Sequence, residues 1–594
     1  MHWLLEPSAR RRTAVVFAVM VGAPIVASCY STGNGTSPPP ESFYFPVGMA
    51  VSKGGNVLYV INSDFDLQWN GGTIQSYDLD QIRADAALLA VDPTAPSIAK
   101  NFTHQPGPMP GQCPNNPLIV WADGTGRVPP GQTCAPPVNS YVYVRDSVII
   151  GAFATDIQIS PSGGRLYAPV RGDASLTWGN VAVDDPVVAP GPNATKESYP
   201  PFNIDCGIRV EGRCDAAHHA GVDPDEPGNT RHLAMPGEPF AMAQTADGTA
   251  LVLTHQSSPD ASLFLTGLDS TGTAETPVGS PSLQFVISTS GQGALPLGGD
   301  GIALIPQDDL AFGCPPGAVA SVPPCTLQPP PPAFIETNNT TAQLNILRYY
   351  SDDGSSLHRP YIVNEQAIPI SVNFPGIDWR GLAIDPTDRI ACEAVYPYPD
   401  HRSKACAQLS APLYLGSRSP PSLVLGSVGQ LNPNGNDSYN ADGISVTSPN
   451  IPLLPGVSRV YLAPIVNLAG NYERRVFIVA FDSNALIIYN PNSGIIEAQL
   501  SIGEGPFSVS FDPFTPEDMA LNRPVPPDPR HPDAPDSPHP LELKTYRFAY
   551  VASFTNSYVQ VIDLDDSRAD KSTFEAVVFT LGNPTIPKGT QQNE

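Results

Sequence analysis

A short, imperfect repeat runs through most of the chain and constrains its fold more than any other feature. The first copy has two apolar runs, residues 49–51 and 58–61, separated by the pair Gly54-Gly55, and a third run follows at 72–79. Short apolar runs bounded by turn residues predict β-strands, and a glycine pair supplies the positive φ angles of a tight hairpin. Each copy therefore predicts a unit of strand, turn, strand, loop and strand.

The start of this unit recurs along the chain. Five further copies begin at residues 156–161, 239–243, 301–306, 381–386 and 505–513, and another unit is expected around Val457–Val466. One four-stranded sheet cannot cover both of its faces, whereas neighbouring sheets in a closed ring cover each other. We therefore predict an all-β fold, a single β-propeller of seven four-stranded blades. Six or eight blades, or a pair of smaller β domains, are the alternatives.

The end of the chain also suggests a closed ring. Residues 574–581 form a strand-like run, and Leu581-Gly582-Asn583-Pro584 is similar to the lead-in to another copy. We therefore expect the first copy, which begins at Phe45, to complete the last blade and so to join the two ends of the chain.

Two tetrapeptides occupy corresponding places in the first and last copies. They are Tyr59-Val60-Ile61-Asn62 and Tyr550-Val551-Ala552-Ser553, and Val561-Ile562-Asp563-Leu564 adds a strand that ends in Asp. These segments resemble the YVTN-type β-propeller repeat of surface-layer-like and lactonase-like propellers, from its naming tetrapeptide to the Asp that follows. The resemblance extends over scattered segments from about residue 46 to residue 584 and implies the fold. It implies no single function, because such propellers host unrelated activities.

The N-terminal residues resemble the export signal of a bacterial lipoprotein. Arg10, Arg11 and Arg12 give a positive start, an apolar run follows over residues 14–26, and the segment ends in Val26-Ala27-Ser28-Cys29. The run is too short to span a bilayer but suits the apolar part of a signal peptide. The tetrapeptide resembles the lipobox, whose cysteine is acylated and becomes the new N-terminus. An ordinary secretory signal with an unrelated cysteine is the alternative.

We therefore predict a signal peptide at residues 1–28, acylation of Cys29, a Ser/Pro/Gly-rich tether at 29–44 and the propeller at 45–594. Several acyl chains anchor a protein firmly, so the membrane would be a partner through this N-terminal lipid. The next residue is Tyr30, where Asp retains lipoproteins in the inner membrane of well-studied Gram-negative bacteria. The resemblance thus implies a lipid-anchored protein of the cell envelope, at the outer membrane, on its periplasmic face or at the cell surface.

The other eight cysteines fall into four neighbouring pairs, which indicates an oxidising compartment. The pairs are Cys113/Cys134, Cys206/Cys214, Cys314/Cys325 and Cys392/Cys406. Each pair lies in a stretch rich in proline, glycine or polar residues, so we predict disulfides that staple long surface insertions. Pairing between neighbours is one of many connectivities that eight cysteines allow. The insertions are expected near residues 94–138, 195–237, 307–334, 392–406 and 523–540, crowded on one rim where they shape the binding face.

Composition excludes some classes of function. The net charge of −26 argues against nucleic acid as a partner, because phosphate backbones require a basic surface. With 41% hydrophobic and only 15% charged residues, most of the chain is expected to fold. The sequence leaves the oligomeric state open.

One group of residues has the chemistry of a zinc site. His218 and His219 follow Cys214, with Cys206 upstream and His232 downstream. Two thiolates and two imidazoles can hold zinc, but this spacing is unlike paired CxxC motifs, and an oxidising compartment favours a disulfide. We therefore predict a bridged polar loop and no metal site.

Other candidate chemistry is weak. Acidic clusters occur at Asp64/Asp66, Asp352/Asp353 and Asp563/Asp565/Asp566. None has the spacing of a calcium loop, and structural roles at strand ends explain them more simply. No nucleophile elbow has a plausible set of partners, and no CxxCH motif occurs. We therefore predict no catalytic residue and no cofactor.

Fold and location together predict a binding or scaffolding module for a protein or glycan partner in the envelope. Two alternatives remain: a lactonase-like hydrolase or cofactor-dependent dehydrogenase on the same ring, and a surface-exposed adhesion or surface-layer-like component. Convergent His, Glu and Arg side chains with shifted pKa values in the central channel would favour an enzyme. A channel lined by Ser, Thr and backbone would favour binding.

Overall fold

The computed structural model describes twelve segments of the chain. They are residues 35–91, 119–121, 140–184, 202–269, 279–287, 295–306, 331–370, 376–395, 409–431, 439–521, 547–567 and 573–582. The chain divides into Met1–Thr36, of which only residues 35 and 36 are described, and Ser37–Glu594, which forms one compact unit. No helix in the described segments is long and apolar enough to span a membrane.

Seven antiparallel sheets, the blades, follow one another along the chain, so the predicted all-β propeller with seven blades is confirmed. Blade 1 consists of β1 (Pro46–Val51), β2 (Val57–Asn62), β3 (Thr73–Asp78) and, after the short β4 (Ile119–Trp121), β5 (Val144–Ile149). Blade 2 consists of β6 (Gln158–Ile159), β7 (Arg165–Val170), β8 (Ser175–Asn180) and β9 (His219–Ala220). Blade 3 consists of β10 (Pro239–Gln244), β11 (Ala250–His255), β12 (Ala261–Leu265) and β13 (Ser282–Ile287).

The remaining blades have the same order of strands. Blade 4 consists of β14 (Gly299–Leu304), β15 (Ala333–Asn338), β16 (Gln343–Tyr350) and β17 (Tyr361–Pro369). Blade 5 consists of β18 (Asp378–Ile384), β19 (Ala411–Ser419), β20 (Pro421–Leu431) and β21 (Tyr439–Pro452). Blade 6 consists of β22 (Val457–Val466), β23 (Tyr472–Ala480), β24 (Ala485–Asn490) and β25 (Ile495–Ser501). Blade 7 consists of β26 (Pro506–Phe511), β27 (Phe548–Ser553), β28 (Tyr558–Asp563) and β29 (Ala576–Leu581).

In the described segments three α-helices lie between strands: α1 (Leu79–Val91), α2 (Thr387–Val395) and α3 (Pro516–Ala520). Short 3-10 turns occur at Ser140–Val142 and Ala216–His218. Strand β4 belongs to none of the predicted repeats. It pairs with β25 and adds a fifth strand to the outer edge of blade 6.

The first strand of each blade packs on a neighbouring blade, and β1 packs on β26, which closes the ring. The expectation that the first copy completes the last blade is wrong. Blade 7 takes all four of its strands from β26–β29, so no place in it is vacant. The ends of the ring meet through side chains instead: Phe43, Tyr77 and Tyr550 share one apolar cluster, and the amide of Phe45 donates to Ser557 Oγ at 3.2 Å.

Antiparallel pairing assigns the connections between strands to two ends of the ring. Connections from first to second and from third to fourth strands lie at one end, which we call the insertion end. Connections from second to third strands, and from one blade to the next, lie at the other, the mouth end. Among the segments outside the described residues, 185–201, 307–330, 396–408 and 522–546 each connect two strands of one blade at the insertion end, whereas 92–118 and 122–139 precede and follow β4 at the outer edge of blade 6. The predicted insertion at 195–237 does not lie at one end only, because its described residues 221–237 connect β9 to β10 at the mouth end. The crowding of the insertions on one rim and their shaping of a binding face stay predictions.

The described cysteines agree with the predicted staples. Cys206 and Cys214 form a disulfide at the outer edge of blade 2, and the amide of Cys214 donates to the carbonyl of Ile149 in blade 1. Cys392 is also disulfide-bonded, to a partner outside the described residues. The cysteines of the remaining predicted staples and the predicted acylation site lie outside the described segments, so their pairing and acylation stay predictions: Cys113, Cys134, Cys314, Cys325, Cys406 and Cys29.

Candidate functional site

A cavity of about 260 Å³ opens at the mouth end of the ring. We call it the mouth. Of the residues that the structure describes, six phenylalanines line it: Phe65, Phe153, Phe240, Phe481, Phe507 and Phe554. Four arginines line it too: Arg171, Arg380, Arg418 and Arg459. The other described lining residues are small or uncharged: Val47, Ser63, Ala154, Thr155, Gln256 and Ser458.

The repeat itself positions most of these side chains. Some are the second residue of a first strand: Val47, Phe240, Ser458 and Phe507. Others directly follow a second strand: Ser63, Arg171, Gln256, Phe481 and Phe554. Equivalent positions of different blades converge on the ring axis, so the propeller brings together residues that are far apart in the chain.

The phenylalanines of blades 1, 6 and 7 form a continuous aromatic wall. The ring of Phe554 lies 5.3 Å from Phe65, 5.9 Å from Phe507 and 6.2 Å from Phe481, between ring centres. Phe153 extends the wall toward blade 2, with its ring centre 5.8 Å from that of Phe65. Such pairs contribute roughly 0.5–1.5 kcal/mol each beyond their buried area. Phe65 is nevertheless 52% exposed, so part of this wall faces solvent.

Each mouth arginine is paired with a carboxylate, and most of these ion pairs connect different blades, whereas Arg380 and Asp378 belong to the same strand. Arg171 pairs with Glu238 at 2.8 Å and Arg418 with Asp482 at 2.8 Å. Arg380 has two carboxylate partners, with shortest N–O distances of 3.0 Å to Asp300 and 2.5 Å to Asp378. None of these carboxylates is among the described lining residues, so the charged groups that face the cavity are guanidinium groups.

Arg459 crosses the central channel. It belongs to blade 6, yet its Nη1 lies 3.3 Å from Asp156 Oδ2 and its Nη2 donates to the carbonyl of Thr155 at 3.0 Å, both in the segment that leads into blade 2. Blades 6 and 2 are not neighbours, so the side chain must span the axis. Its guanidinium carbon also lies 5.0 Å from the ring centre of Phe507. Arg459 therefore forms the floor of the mouth.

The backbone around the mouth is locally strained. Phe45, Asp64, Phe153 and Glu238 have φ angles of 51°, 50°, 59° and 54°. The left-handed region costs an L-residue roughly 1–2 kcal/mol because Cβ approaches the carbonyl oxygen. Strain of this kind concentrates at functional sites, where the surrounding structure maintains it.

Blade 4 has two buried carboxyl groups, Asp300, which pairs with Arg380, and Glu336. Asp300 Oδ1 accepts from Gln256 Nε2 at 3.0 Å. Burial raises the pKa of Asp300 to about 6, although Arg380 opposes the shift. Burial likewise raises the pKa of Glu336 to about 8, with an added contribution from the charge of Asp300. The carboxyl group that pairs with the mouth residue Arg380 therefore has a pKa raised by burial to about 6.

The residues considered for metal binding are not brought together. The Cys206–Cys214 disulfide consumes both thiols of the possible zinc site, and His218 stacks on Trp178 with ring centres 3.9 Å apart. Among the described residues no group of three or more His, Cys, Asp or Glu side chains could hold a metal ion.

The acidic clusters lie in three separate places and bind nearby protein groups. Asp64 accepts from the amide of Trp69, and Asp66 from the hydroxyl of Tyr44. Asp352 pairs with His358, and Asp563 accepts from the amide of Asp565 and the hydroxyl of Thr573.

The mouth residues were not predicted as a site from the sequence. The signal was present in the recurrence of Phe at equivalent places, such as Phe240 and Phe507 in first strands and Phe481 and Phe554 after second strands. Because each position also continues an apolar strand pattern, the sequence favours the core for them. Only the ring geometry shows that they face a cavity.

No protein-family model matches the chain, and a search of curated proteins finds no match. Several solved structures are similar at low identity. A periplasmic gluconolactonase from Pseudomonas aeruginosa is 11% identical over 77% of this chain and 86% of that one, with a TM-score of 0.36. A candidate 6-phosphogluconolactonase from Bacteroides uniformis is 11% identical over 80% and 88%, with a TM-score of 0.37. Hydrazine synthase from Kuenenia stuttgartiensis is 9% identical over 91% and 100%, with a TM-score of 0.39. At these values the similarity assigns neither a family nor an activity to this chain.

Proposed function

We propose that this chain is a lipid-anchored propeller of the bacterial cell envelope that binds a protein partner through its mouth. The observation that carries the proposal is the convergence of six phenylalanines and four arginines around one concave opening. Aromatic residues and arginine are the residue types that concentrate at the energetic centres of protein interfaces. The partly exposed wall around Phe65 provides the apolar surface that such a centre requires.

The size of the mouth supports a protruding group as the ligand. Pockets for small molecules have volumes of roughly 300–1,000 Å³, and this cavity lies just below that range at about 260 Å³. It accommodates one or two side chains of a partner, while the rim residues Phe65 and Leu67, 52% and 60% exposed, offer further contact area. A glycan partner is the competing outcome of the experiment below.

The anchor in this proposal rests on the lipobox-like segment that ends at Cys29. The disulfides at Cys206–Cys214 and Cys392 support an oxidising compartment. We expect Cys29→Ser to move the protein from the membrane fraction to the soluble fraction and to abolish labelling with a radioactive fatty acid. Retention of the label by the variant would contradict acylation at Cys29. Protease treatment of intact cells then distinguishes a surface adhesin, which is cleaved, from a periplasmic module, which is protected.

Partner binding is tested with the full-length lipidated protein purified from its own membranes. We expect one protein to copurify stoichiometrically, and Phe65→Ser and Arg418→Gln each to weaken its binding about ten-fold, since central aromatic and arginine residues contribute more than about 1 kcal/mol each. Leu357→Ser and Arg145→Gln are matched controls at the insertion end. Leu357 is 60% exposed, and Arg145 pairs with Asp78 through a side chain of similar exposure to that of Arg418, 26% against 33%, although Asp78 is buried and Asp482 is not.

Equal loss of the partner in the control variants would contradict binding at the mouth. Release of the bound material by glycosidase digestion, rather than by protease, would replace the protein partner with a glycan.

A lactonase-like hydrolase is the second candidate function, and one observation favours it. Asp300 has a pKa raised to about 6 by burial and lies against Arg380, a combination suited to general acid–base chemistry beside a cation. We expect a hydrolase to open sugar lactones and to lose most of its activity on Asp300→Asn. If the purified protein hydrolyses no lactone, the hydrolase candidate is wrong and partner binding remains the proposed function.

A further inference from the structure

Two of the four mouth arginines have hydrogen-bond donors to spare. Among the described residues Arg171 has one ion-pair partner, Glu238, and Arg418 has one, Asp482. A guanidinium group carries five N–H donors, and even a bidentate ion pair uses two of them. Their side chains are 27% and 33% exposed, so the unused donors are accessible from the cavity.

The other two mouth arginines use more of their donors in contacts within the protein. Arg380 is shared between Asp300 and Asp378, and Arg459 is occupied by Asp156, the carbonyl of Thr155 and the ring of Phe507. They shape the mouth but have less capacity for a ligand than Arg171 and Arg418.

The sign of the ligand charge follows from what faces the cavity. All charged side chains among the described lining residues are guanidinium groups. Their carboxylate partners are not among these lining residues, although Glu238 and Asp482 are 39% and 45% exposed. A ring of aromatic side chains alone could also hold a cation by cation–π attraction. Four arginines at the same surface oppose a cation and favour an anion, and carboxylates pair with guanidinium through short, charge-assisted hydrogen bonds.

Each arginine with spare donors is next to a phenylalanine. The amide of Arg171 donates to the carbonyl of Phe153 at 3.1 Å, which fixes these two residues side by side. Arg418 pairs with Asp482, the residue that directly follows Phe481. Each arginine with spare donors therefore has an aromatic ring close by in the chain or across an ion pair.

We propose that the mouth recognises a carboxylate that its partner carries next to an aromatic side chain. This ligand class rests on the proposed function, because it takes the mouth to be the binding site. The carboxylate bonds to Arg418 or Arg171, and the adjacent ring packs on the aromatic wall around Phe481 and Phe554. A chain terminus and an Asp or Glu side chain both supply this chemistry.

Four small probes test the ligand class by calorimetric titration of the full mature protein. N-acetyl-phenylalanine presents a terminal carboxylate, and N-acetyl-aspartyl-phenylalanine amide presents a side-chain carboxylate. N-acetyl-phenylalanine amide is neutral, and N-acetyl-lysyl-phenylalanine amide is cationic. We expect at least one carboxylate probe to bind about ten-fold more tightly than the neutral one, with affinity that falls as salt screens the charges. The tighter of the two carboxylate probes identifies the source.

Two variants link probe binding to the mouth. Arg418→Gln and Arg171→Gln keep much of the length and polarity of the side chain but remove its charge, and we expect at least one of them to reduce carboxylate affinity about ten-fold. Arg145→Gln at the insertion end is the control and leaves affinity unchanged. Unfolding midpoints of all three variants check that the fold is intact. Equal binding of all four probes, binding of the cationic probe alone, or binding of none overturns the proposal.

The result separates this inference from the proposed function. If mouth variants abolish partner binding but no carboxylate probe binds, the ligand class is wrong and the partner site stands. If carboxylate probes bind and respond to Arg418→Gln while the copurifying partner does not, the ligand class stands and the proposed partner site is wrong.

Discussion

At the scale of single residues, buried carboxyl groups make the stability of this ring depend on pH. Burial raises the pKa of Glu336 and of Glu575 to about 8 each, from an ordinary value of 4.5. At a pH between about 4.5 and about 8, each of these carboxyl groups is ionised in the unfolded chain but still protonated in the folded chain. The contribution of each group is therefore fully present below about pH 4.5 and is lost as the pH rises toward 8.

Glu336→Gln tests this dependence. Glutamine has the shape of the protonated acid but cannot ionise. We therefore expect the free energy of unfolding of the variant to fall less than that of the unmodified protein as the pH rises from about 5 to about 8. Urea unfolding midpoints measured across that pH range check it. Parallel curves for the two proteins would contradict a raised pKa at Glu336.

At the scale of elements, the hairpin between the first two strands of blade 1 depends on a carboxylate from blade 2. Asp184 accepts hydrogen bonds from Ser52 Oγ, from the amides of Gly54 and Asn56, and from Asn56 Nδ2, at 2.5–3.0 Å. The turn approaches Asp184 so closely that a Cβ on Gly54 would lie 1.4 Å from the Asp184 carbonyl oxygen. The glycine pair of the sequence motif thus serves contact between blades as well as the turn.

Gly54→Ala should therefore separate the two blades at this end. We expect a loss of stability of about 1–3 kcal/mol, or more, because a methyl group is forced against backbone that has to move. Gly237→Ala is the matched control, since nothing lies within 4 Å of a Cβ at that position, and its effect should stay within about 0.5 kcal/mol. Thermal unfolding of both variants distinguishes them, and equal midpoints would argue against the tight contact.

Elements were more predictable from the sequence than the site. Short apolar runs with bounding turn residues identify strands such as Val57–Asn62 and Phe548–Ser553, because the pattern is local. Strand Ile119–Trp121 was not predicted from the sequence, because it pairs with the edge of blade 6, which is several hundred residues away in the chain. The mouth was not predicted either, because its residues are distant in the chain: Arg459 contacts Asp156 only when the ring is closed.

At the scale of the whole molecule, the closure of the ring rests on a buried ionic contact as well as on apolar packing. Arg83 lies in α1, between the third and fourth strands of blade 1, and its Nη2 donates at 2.8 Å to Asp512, which directly follows β26 of blade 7. Asp512 also accepts from the Tyr550 hydroxyl and from the amides of Arg547 and Phe548. The carboxylate is fully buried, so every donor around it depends on its presence.

Asp512→Ala should open the ring at this joint. Removal of one partner leaves the Arg83 charge buried with less compensation, which costs about 3–5 kcal/mol. Asp482→Ala removes the partner of Arg418 at an exposed site and should cost about 1 kcal/mol or less. Denaturant unfolding measures both, and a cost for Asp512→Ala as small as that of the control would show that apolar packing alone closes the ring.

Arg459, the arginine that spans the ring axis, connects the ligand-facing side of the mouth to two distant parts of the ring. Arg459 joins blade 6 to the segment before blade 2, so whatever enters from the phenylalanine side meets a side chain held at both ends. A ligand that packs on Phe507 would therefore also lie close to this guanidinium group, because its carbon is 5.0 Å from the centre of that ring. Binding at this one point would thus be felt by two blades that are not neighbours.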